Sequence, residues 1–600
     1  MRAVLKLKGD ILADAELPLV ISEINGLVGD SCAPARFSCS LFPTEFRGIP
    51  DFCALLARRL YKGSVQVFVG NLDAGRLDAV RRSSAYVSDI FAWTDREGTA
   101  DGFKPVLRTL GVTLEDSPEH LEGPGFRIYR RGGYWLAHVV PFYWYLEYAA
   151  HAMSYCASPR HTEWAVKRLL ACPFTLTKDR LSTKVFGEQS YTTSHFTHGL
   201  HQYKGKFFPR MVRALLNAHR PNLVLDPFCG SGTLQAEATS AGYNSAGFDL
   251  NPLAVNICNM KAEILAADSH AFDSYYCLVA PQIRAATVPQ LSLGAQSPHS
   301  LPPSEVPFPK DLAASLGPAD LRFTNEVKAV IKNNPCPPYS HILLMVLSDA
   351  LKSKVRVRVG GKTAFFYAIE PNQLDLRTKF RQSVTELATF LQLWGKLRDS
   401  LGIRLVPTST YDGDARSWPE LSCTPDLVIT SPPYFPYTGI SYVYTNLAAI
   451  AVLGVKEPRS LEERMIGNTL ARQVATDRAF ADLPQVADLY SFLEGDKYRR
   501  ARIPVYADYF RNLSQVFRQM KSHCAPGANV RFVVAKSQKL YRMHENRTLH
   551  EIDCVAITRK IAELGGLVHV GQTDIPLFKS DKVSLFPSNE GVEVVLHLRT

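Results

Sequence analysis

Apolar positions change rhythm several times along this 600-residue chain. Residues 1 to about 185 mix β-rich runs, Val65–Val69 and Gly125–Tyr129, with a stretch around Phe52–Leu60 whose spacing predicts a helix. The aromatic run Phe142–Tyr148 reads as a core or domain-interface segment rather than a base-stacking platform. From about 190 the texture becomes strand, turn and helix in alternation, which predicts a doubly wound α/β sheet. Prolines and serines then cluster between about 280 and 309, from Pro281 through Pro298 to Ser304, and predict a surface linker or long loop. Residues 310 to 405 read as mostly helical, with apolar repeats in Ile342–Leu351 and Val384–Leu397. The α/β pattern then returns and the chain ends in a strand, Val592–Leu598.

The expected organisation is therefore an N-terminal α+β domain over 1–185 and an α/β domain split between 186–275 and 406–600. A linker and mostly helical insertion would occupy 276–405.

Two strand ends in the split domain carry chemistry. The short apolar run Leu223-Val224-Leu225 leads into Asp226-Pro227-Phe228-Cys229-Gly230-Ser231-Gly232-Thr233 and a helix-compatible stretch, Leu234–Ala241. A glycine turn between strand and helix lets the backbone approach a ligand and leaves helix N–H groups free. Gly242 stops that helix, and Asn244–Phe248 forms a second strand finishing at Asp249, 23 residues beyond Asp226. A βαβ unit places a ribose-gripping carboxylate at about this separation. No Gly-Lys-Ser/Thr follows the glycines, which excludes a Walker-type phosphate loop.

The second strand, Pro425–Thr430, delivers Ser431-Pro432-Pro433-Tyr434 at its C-terminal end, where ligands of open α/β sheets bind. An exocyclic base amine is a poor nucleophile because its lone pair is delocalised into the ring. Acceptors such as Ser431 Oγ and the Pro432 carbonyl would orient its hydrogens and draw the nitrogen towards tetrahedral geometry. The two prolines stiffen the turn, and Tyr434 offers a ring on which an extruded base can stack.

This combination resembles the amino-methyltransferases of DNA, whose catalytic motif is Ser/Asp/Asn-Pro-Pro-Tyr/Phe. The likeness extends upstream through His198-Gly199-Leu200-His201-Gln202-Tyr203-Lys204-Gly205-Lys206-Phe207-Phe208-Pro209, and downstream through Tyr442–Leu447 and Ile466-Gly467-Asn468. The resemblance implies a Rossmann-like sheet of the class that binds S-adenosyl-L-methionine (SAM). The cofactor would be held by Asp226, Phe228, Gly230, Gly232, Thr233, Asp249 and Asn251, by Lys206 and Phe207 upstream, and by Asp414 near the adenine. Ser431, Pro432, Pro433 and Tyr434 would act on the base. The serine form is associated with cytosine N4, so the expected activity is site-specific methylation of that amine in DNA by base flipping and direct transfer, with no metal required. Adenine N6 in DNA, or guanine N2 in transfer RNA with an N-terminal RNA-binding domain, are the alternatives, and a non-catalytic nucleic-acid binder on a relic fold is a third. The insertion would be either a target-recognition region or helical packing around the cleft.

Composition fits this picture. An apolar fraction of 46% supports sizeable cores, and 68 Lys+Arg against 57 Asp+Glu leave +11, which suits a polyanionic partner. The expected partners are DNA, or RNA in the second reading, with a companion restriction or defence protein possible in the same system. Lys352, Lys354, Arg356 and Arg358, alternating with Val355, Val357 and Val359, read as a strand with one cationic face. Lys497–Arg502 is a second basic cluster, and Lys206 and Arg210 flank the upstream motif. Twelve cysteines contain no C-x-x-C pair and sixteen histidines show no ligand spacing, so neither a zinc ribbon nor a disulfide scaffold is supported. His198 and His201 read as structural or substrate-orienting groups, and Cys229 as a packed thiol. Asn334–Tyr339 imitates two methyltransferase fragments, Pro-Cys and Pro-Pro-Tyr, but follows no apolar strand and reads as a loop or helix start. The lack of a signal core or an 18-residue apolar run predicts a cytoplasmic protein without a membrane anchor.

Overall fold

The computed structural model describes residues 1–8, 13–47, 65–94, 100–110, 112, 120–153, 163, 165–167, 170, 196–201, 203, 208–287, 308–360, 366–436, 441–468, 478–497, 499–541, 548–576 and 592–600. The expected helix around Phe52–Leu60 and the residues Lys206 and Phe207 lie outside the described residues.

Period-two alternation builds the first sheet. Its strands are β1 (Arg2–Leu7), β2 (Cys32–Ala35), β3 (Val67–Asn71), β4 (Val87–Trp93), β5 (His120–Gly123), β6 (Phe126–Arg131) and β7 (Tyr134–Val139), antiparallel in the order β2-β3-β1-β4-β7-β6-β5. Val4, Phe91, Trp93 and Leu136 point to one face, where Phe42 and Phe46 cover them. Ala3, Leu5, Ile90, Ala92 and Ala137 point to the other, towards α1 (Ala13–Val28), α2 (Ala74–Ser83) and α3 (Phe142–Met153). The aromatic run lies in α3, with Phe142, Tyr143, Trp144 and Tyr145 all buried in that core.

The first sheet is tied to the rest of the chain by a close helix crossing. α1 packs on α4 (Pro209–His219) so tightly that a Cβ on Gly26 would come within 2.2 Å of the Asn217 carbonyl. Glu23 sits buried beside it and accepts from the Asn217 amide at 2.7 Å, the Ser84 hydroxyl at 2.9 Å and the Ala85 and Tyr86 N–H groups at 2.8 and 3.2 Å. One carboxylate thus joins α1, the turn before β4, and α4.

The second sheet contains β8 (Val224–Asp226), β9 (Ser245–Asp249), β12 (Thr408–Asp412), β13 (Leu427–Thr430), β14 (Asn529–Ala535), β17 (Val568–Pro576) and β18 (Val592–Arg599), in the order β12-β9-β8-β13-β14-β18-β17. Neighbours from β12 to β14 run parallel, and only β18 runs against them, between β14 and β17. This is a Rossmann-like, mostly parallel α/β sheet. The helices α5 (Thr233–Ala241) and α6 (Pro252–Ala266) follow β8 and β9 as crossovers. Leu427, Val428 and Ile429 of β13 are fully buried, each contributing about 1.5–3 kcal/mol on transfer from water.

Between β9 and β12 lie α7 (Ser269–Thr287), α8 (Lys310–Asn333), α9 (Tyr339–Lys354), a hairpin of β10 (Val355–Gly360) and β11 (Phe366–Pro371), and α10 (Leu376–Leu401). Trp394 of α10 donates its indole N–H to the Leu265 carbonyl at 2.8 Å, fastening these helices to α6. Two details differ from the sequence reading. The helix α7 runs through Pro281 to Thr287, where a linker was expected, because Val279 and Ile283 bury their side chains in the core and offset the lost hydrogen bond; residues 288–307 are outside the described set. The basic stretch is also not one strand. Lys352 and Lys354 end α9, Lys354 pairing with Asp320 at 3.2 Å, so only Arg356 and Arg358 belong to β10, and Arg358 pairs with Glu370 at 3.0 Å. Among the described residues no helix is long and apolar enough to cross a membrane.

Glu23→Ala would leave four buried donors without their acceptor, and is expected to lower unfolding free energy by about 3 kcal/mol or more. Urea melts of the two proteins measure this; an unchanged midpoint would show that the helix crossing holds without the carboxylate.

Candidate active site

The strands β8 and β13 pair at Leu427↔Val224 and Val428↔Leu225 and then part. At the other end Asp426 locks their register, accepting from the Asn222 and Leu223 N–H groups at 2.9 and 3.0 Å. Across the split the Thr430 hydroxyl donates to Asp226 Oδ1 at 2.5 Å. The strand order also reverses at this point: the chain goes from β8 to β9 and β12 on one side before returning to β13 on the other. Ligands of open α/β sheets bind outside the carboxyl ends at such a switch point.

A cleft of about 380 Å³ opens there. Its wall includes Phe228, Gly230 and Asp249 from the first motif, and Ser431, Pro432, Pro433 and Tyr434 from the second. The two strand ends, some two hundred residues apart in sequence, therefore face one space. The glycines divide the work. Gly230 has φ +50° and nothing closer than 3.8 Å to an added Cβ, so it keeps the backbone bare towards the opening. Gly232 has φ +75°, and a Cβ there would meet Cys258 Sγ at 2.5 Å, so it lets α5 and α6 close together. The buried Lys261 donates to the Ser231 carbonyl at 2.6 Å and steadies the loop from below.

Asp249 accepts the Gly230 N–H on Oδ2 at 3.0 Å and the Asn251 N–H on Oδ1 at 2.8 Å. Burial pushes its carboxyl up to about 6, and that of Asp226 up to about 7. Asp226 Oδ1 takes Thr430 and the Phe228 N–H, while its Oδ2 is buried with no partner among the described residues. Asp226, Gly232, Thr233 and Asn251 shape the cleft from behind its wall. Asn251 accepts from the Leu253 N–H at 3.1 Å to cap α6, and donates to Tyr203 Oη at 3.1 Å. Tyr203 in turn stacks near Tyr442, with ring centroids 6.0 Å apart, and both rings line the cleft. The half-buried Asp249 carboxylate with spare lone pairs, bare glycine backbone and aromatic faces on one cleft fit a cationic nucleoside cofactor.

Asp414 lies on the partition between this cleft and a second of about 410 Å³ bounded by Leu250, Pro252, Glu457 and Arg464. Arg416 clamps it, Nε to Oδ1 at 2.9 Å and Nη2 to Oδ2 at 2.6 Å. In the tetrapeptide turn, Tyr509 Oη donates to the Pro433 carbonyl at 2.9 Å. The Tyr434 side is 40% exposed towards the cleft, while its hydroxyl donates to Glu593 Oε1 at 2.5 Å and lies 3.5 Å from Ser431 Oγ. Glu593 went unnoticed in the sequence reading; the one available signal was an acid inside the otherwise apolar run of β18.

The secondary candidates are structural. His198 is buried against Glu237 at 2.8 Å and His201 against the Ser348 hydroxyl at 3.1 Å. Cys229 is packed in the loop, and Pro335–Tyr339 lies between α8 and α9 with no strand before it. Among the described residues no three His, Cys, Asp or Glu side chains form a metal-binding group.

No protein-family model matches the chain. Over 106 residues, 17% of this chain, it is 35% identical to the type II methyltransferase M.MjaII of Methanocaldococcus jannaschii. The match spans 19% of that protein's length. Among solved structures it is similar to the rRNA methyltransferase aviRa from Streptomyces viridochromogenes, at 11% identity and a TM-score of 0.22, over 67% of this chain and 88% of that one.

Because burial raises Asp226 from 3.8 to about 7, the stability it contributes is full below about pH 4 and is lost as pH rises to 7. Asp226→Asn should therefore gain on the wild type across that interval, by about 4 kcal/mol. Melts of both proteins at matched pH cancel the histidines they share. A constant difference between pH 4 and 8 would mean the carboxyl is not held up.

With the fold and the cleft in place, the chain stands as one with a Rossmann-like sheet and a 106-residue stretch similar in sequence to a type II methyltransferase.

Proposed function

We propose that this protein transfers the methyl group of SAM to the exocyclic N4 of cytosine in DNA, acting on a base turned out of the duplex. The observation that supports it is the meeting of the Gly230 turn and the Ser431–Tyr434 turn across one cleft at the switch point. The similarity to a type II methyltransferase supports the methyl-transfer part of this reading.

SAM supplies a methyl group on a positively charged sulfonium, open to in-line attack by an amine. Asp249, with lone pairs left beyond its two backbone bonds, would grip the ribose hydroxyls, and Asp226, from behind the wall, would hold the Phe228 end of the glycine loop in place through its bond to the Phe228 N–H. Asp414, held flat by Arg416, would receive the adenine amine from the partition between the clefts. Ser431 Oγ and the Pro432 carbonyl would each accept one amine hydrogen of the target base, taking its nitrogen lone pair out of conjugation and turning it to the donor. Pro433, pinned through its carbonyl by Tyr509, keeps the turn from moving as the base arrives. The open face of Tyr434 would stack on the base, compensating part of the unstacking cost of a few kcal/mol.

Incubation with tritiated SAM and either unmethylated duplex DNA or transfer RNA, followed by mass identification of the nucleoside, is expected to give N4-methylcytosine in DNA. N6-methyladenine or N2-methylguanine would replace the substrate assignment while keeping the chemistry, and no transfer to either polymer would end the reading. Ser431→Ala is expected to slow single-turnover transfer by about a hundredfold or more with SAM affinity unchanged. Asp249→Ala should instead weaken SAM binding by about tenfold or more, measured by calorimetry. Normal transfer by the first variant, or normal binding by the second, would remove the role given to that residue.

A further inference from the structure

Methylating an amine leaves one proton to be lost, and a serine hydroxyl cannot keep it. When the N–CH₃ bond forms, the S–CH₃ bond breaks and its electron pair stays on sulfur, so the positive charge passes to the base nitrogen. A methylated aryl ammonium is a strong acid, and a protonated alcohol is as strong. Ser431 can therefore orient the amine and pass a proton on, but the proton must end elsewhere.

The structure contains a continuous route to a carboxylate. Ser431 Oγ lies 3.5 Å from Tyr434 Oη, and Tyr434 Oη lies 2.5 Å from Glu593 Oε1. Glu593 stands at the start of β18, is 7% exposed, and borders the same cleft. Its second oxygen, Oε2, is buried with no partner among the described residues. No cation pairs with it there. Its register partners on β14 and β17 are Ala535 and Ile575, both uncharged, and the nearby Lys536–Asp574 ion pair is on the surface. The titratable group that faces it from the catalytic turn is Tyr434. A lone carboxylate left in this setting is costly unless it has a use.

We propose that Glu593 is the terminal proton acceptor of the transfer, reached through the hydroxyls of Ser431 and Tyr434. The amine N–H proton moves to Ser431 Oγ, the Ser431 proton to Tyr434 Oη, and the Tyr434 proton to Glu593. Both hydroxyls are regenerated, and the carboxylate becomes a carboxylic acid. Charge balances inside the cleft: a sulfonium and a carboxylate before transfer, a thioether and a neutral acid after it, so no net charge is created in a low-dielectric space. Burial holds the Glu593 carboxyl above its ordinary range, which makes the anion a better base. The inference rests on the amine-methylation reading above.

The test uses full-length enzyme in excess over unmethylated phage DNA, with tritiated SAM, in a single turnover. Glu593→Gln keeps the acceptor for Tyr434 but cannot take a proton, and Tyr434→Phe keeps the stacking ring but cuts the route. Each is expected to slow transfer by about a hundredfold, and the double variant no further. Affinity for S-adenosylhomocysteine and melting temperature should stay at wild-type values. Wild-type transfer should fall as pH drops through the raised carboxyl pKa, and this acidic limb should vanish in Glu593→Gln. The infrared difference spectrum of the wild-type turnover should gain the C=O stretch of a protonated carboxyl, missing in Glu593→Gln. If wild type transfers methyl groups and Glu593→Gln retains both its rate and its acidic limb, the relay is wrong and the methylation reading stands. If wild type transfers none to DNA or to transfer RNA, both fall together.

Discussion

The architecture turns on the point where β8 and β13 stop pairing. Two registered pairs hold them together, and beyond these the carboxylate of Asp226 and the hydroxyl of Thr430 still touch at 2.5 Å while the chains diverge. Had the ladder continued, the following residues would have filled the gap with backbone hydrogen bonds and left no room for a ligand. Had it ended earlier, the glycine turn and the tetrapeptide turn would be separated by solvent. One side-chain bond in place of the next backbone pair keeps the two turns on opposite walls of one cleft.

That split must be kept rigid by what surrounds it. On one flank α5 and α6 close over the loop because Gly232 has no Cβ, with Lys261 anchoring the Ser231 carbonyl. On the other flank α4 is fixed to the N-terminal sheet by the Gly26 crossing and the four donors gathered by Glu23. The helices between β9 and β12 are held to α6 by the Trp394 bond. The second sheet is thus braced by chain segments from before and within it, and a large N-terminal body with no chemical motif is fastened to the helix that flanks the cleft.

Both strand-turn motifs were legible in sequence because each is a run of consecutive residues in which a buried strand gives way to a glycine or proline turn that lines the cleft. Glu593 was not legible as a site residue because it reaches Tyr434 across 159 residues of chain, through sheet topology alone. Nor could spacing reveal that Asn251 caps a helix and touches the cleft only through Tyr203. Pro281 and the Lys352–Arg358 stretch misled for a related reason. Local propensity favours a linker and an alternating strand there, but burial of Val279 and Ile283, and the pairing of Lys354 with Asp320, outweigh it.

The placement of buried carboxylates separates scaffold from site. Away from the cleft they are provided for: Asp89 by Lys6 and His138, Glu147 by Lys8 and Arg210, Glu237 by Arg213 and His198, and Glu23 by neutral donors. Around the cleft the arrangement changes. Asp249, Glu462 and Glu593 line it and Asp226 lies behind it, with no ion pair to any of them among the described residues, and burial raises all four. A fold selected for stability alone would neutralise such groups or replace them with apolar ones. Burial instead favours the neutral acid at each, so the opening is bordered by carboxyl groups that an incoming positive charge would ionise. A cationic ligand bound there would return free energy that the burial of these groups withholds from folding.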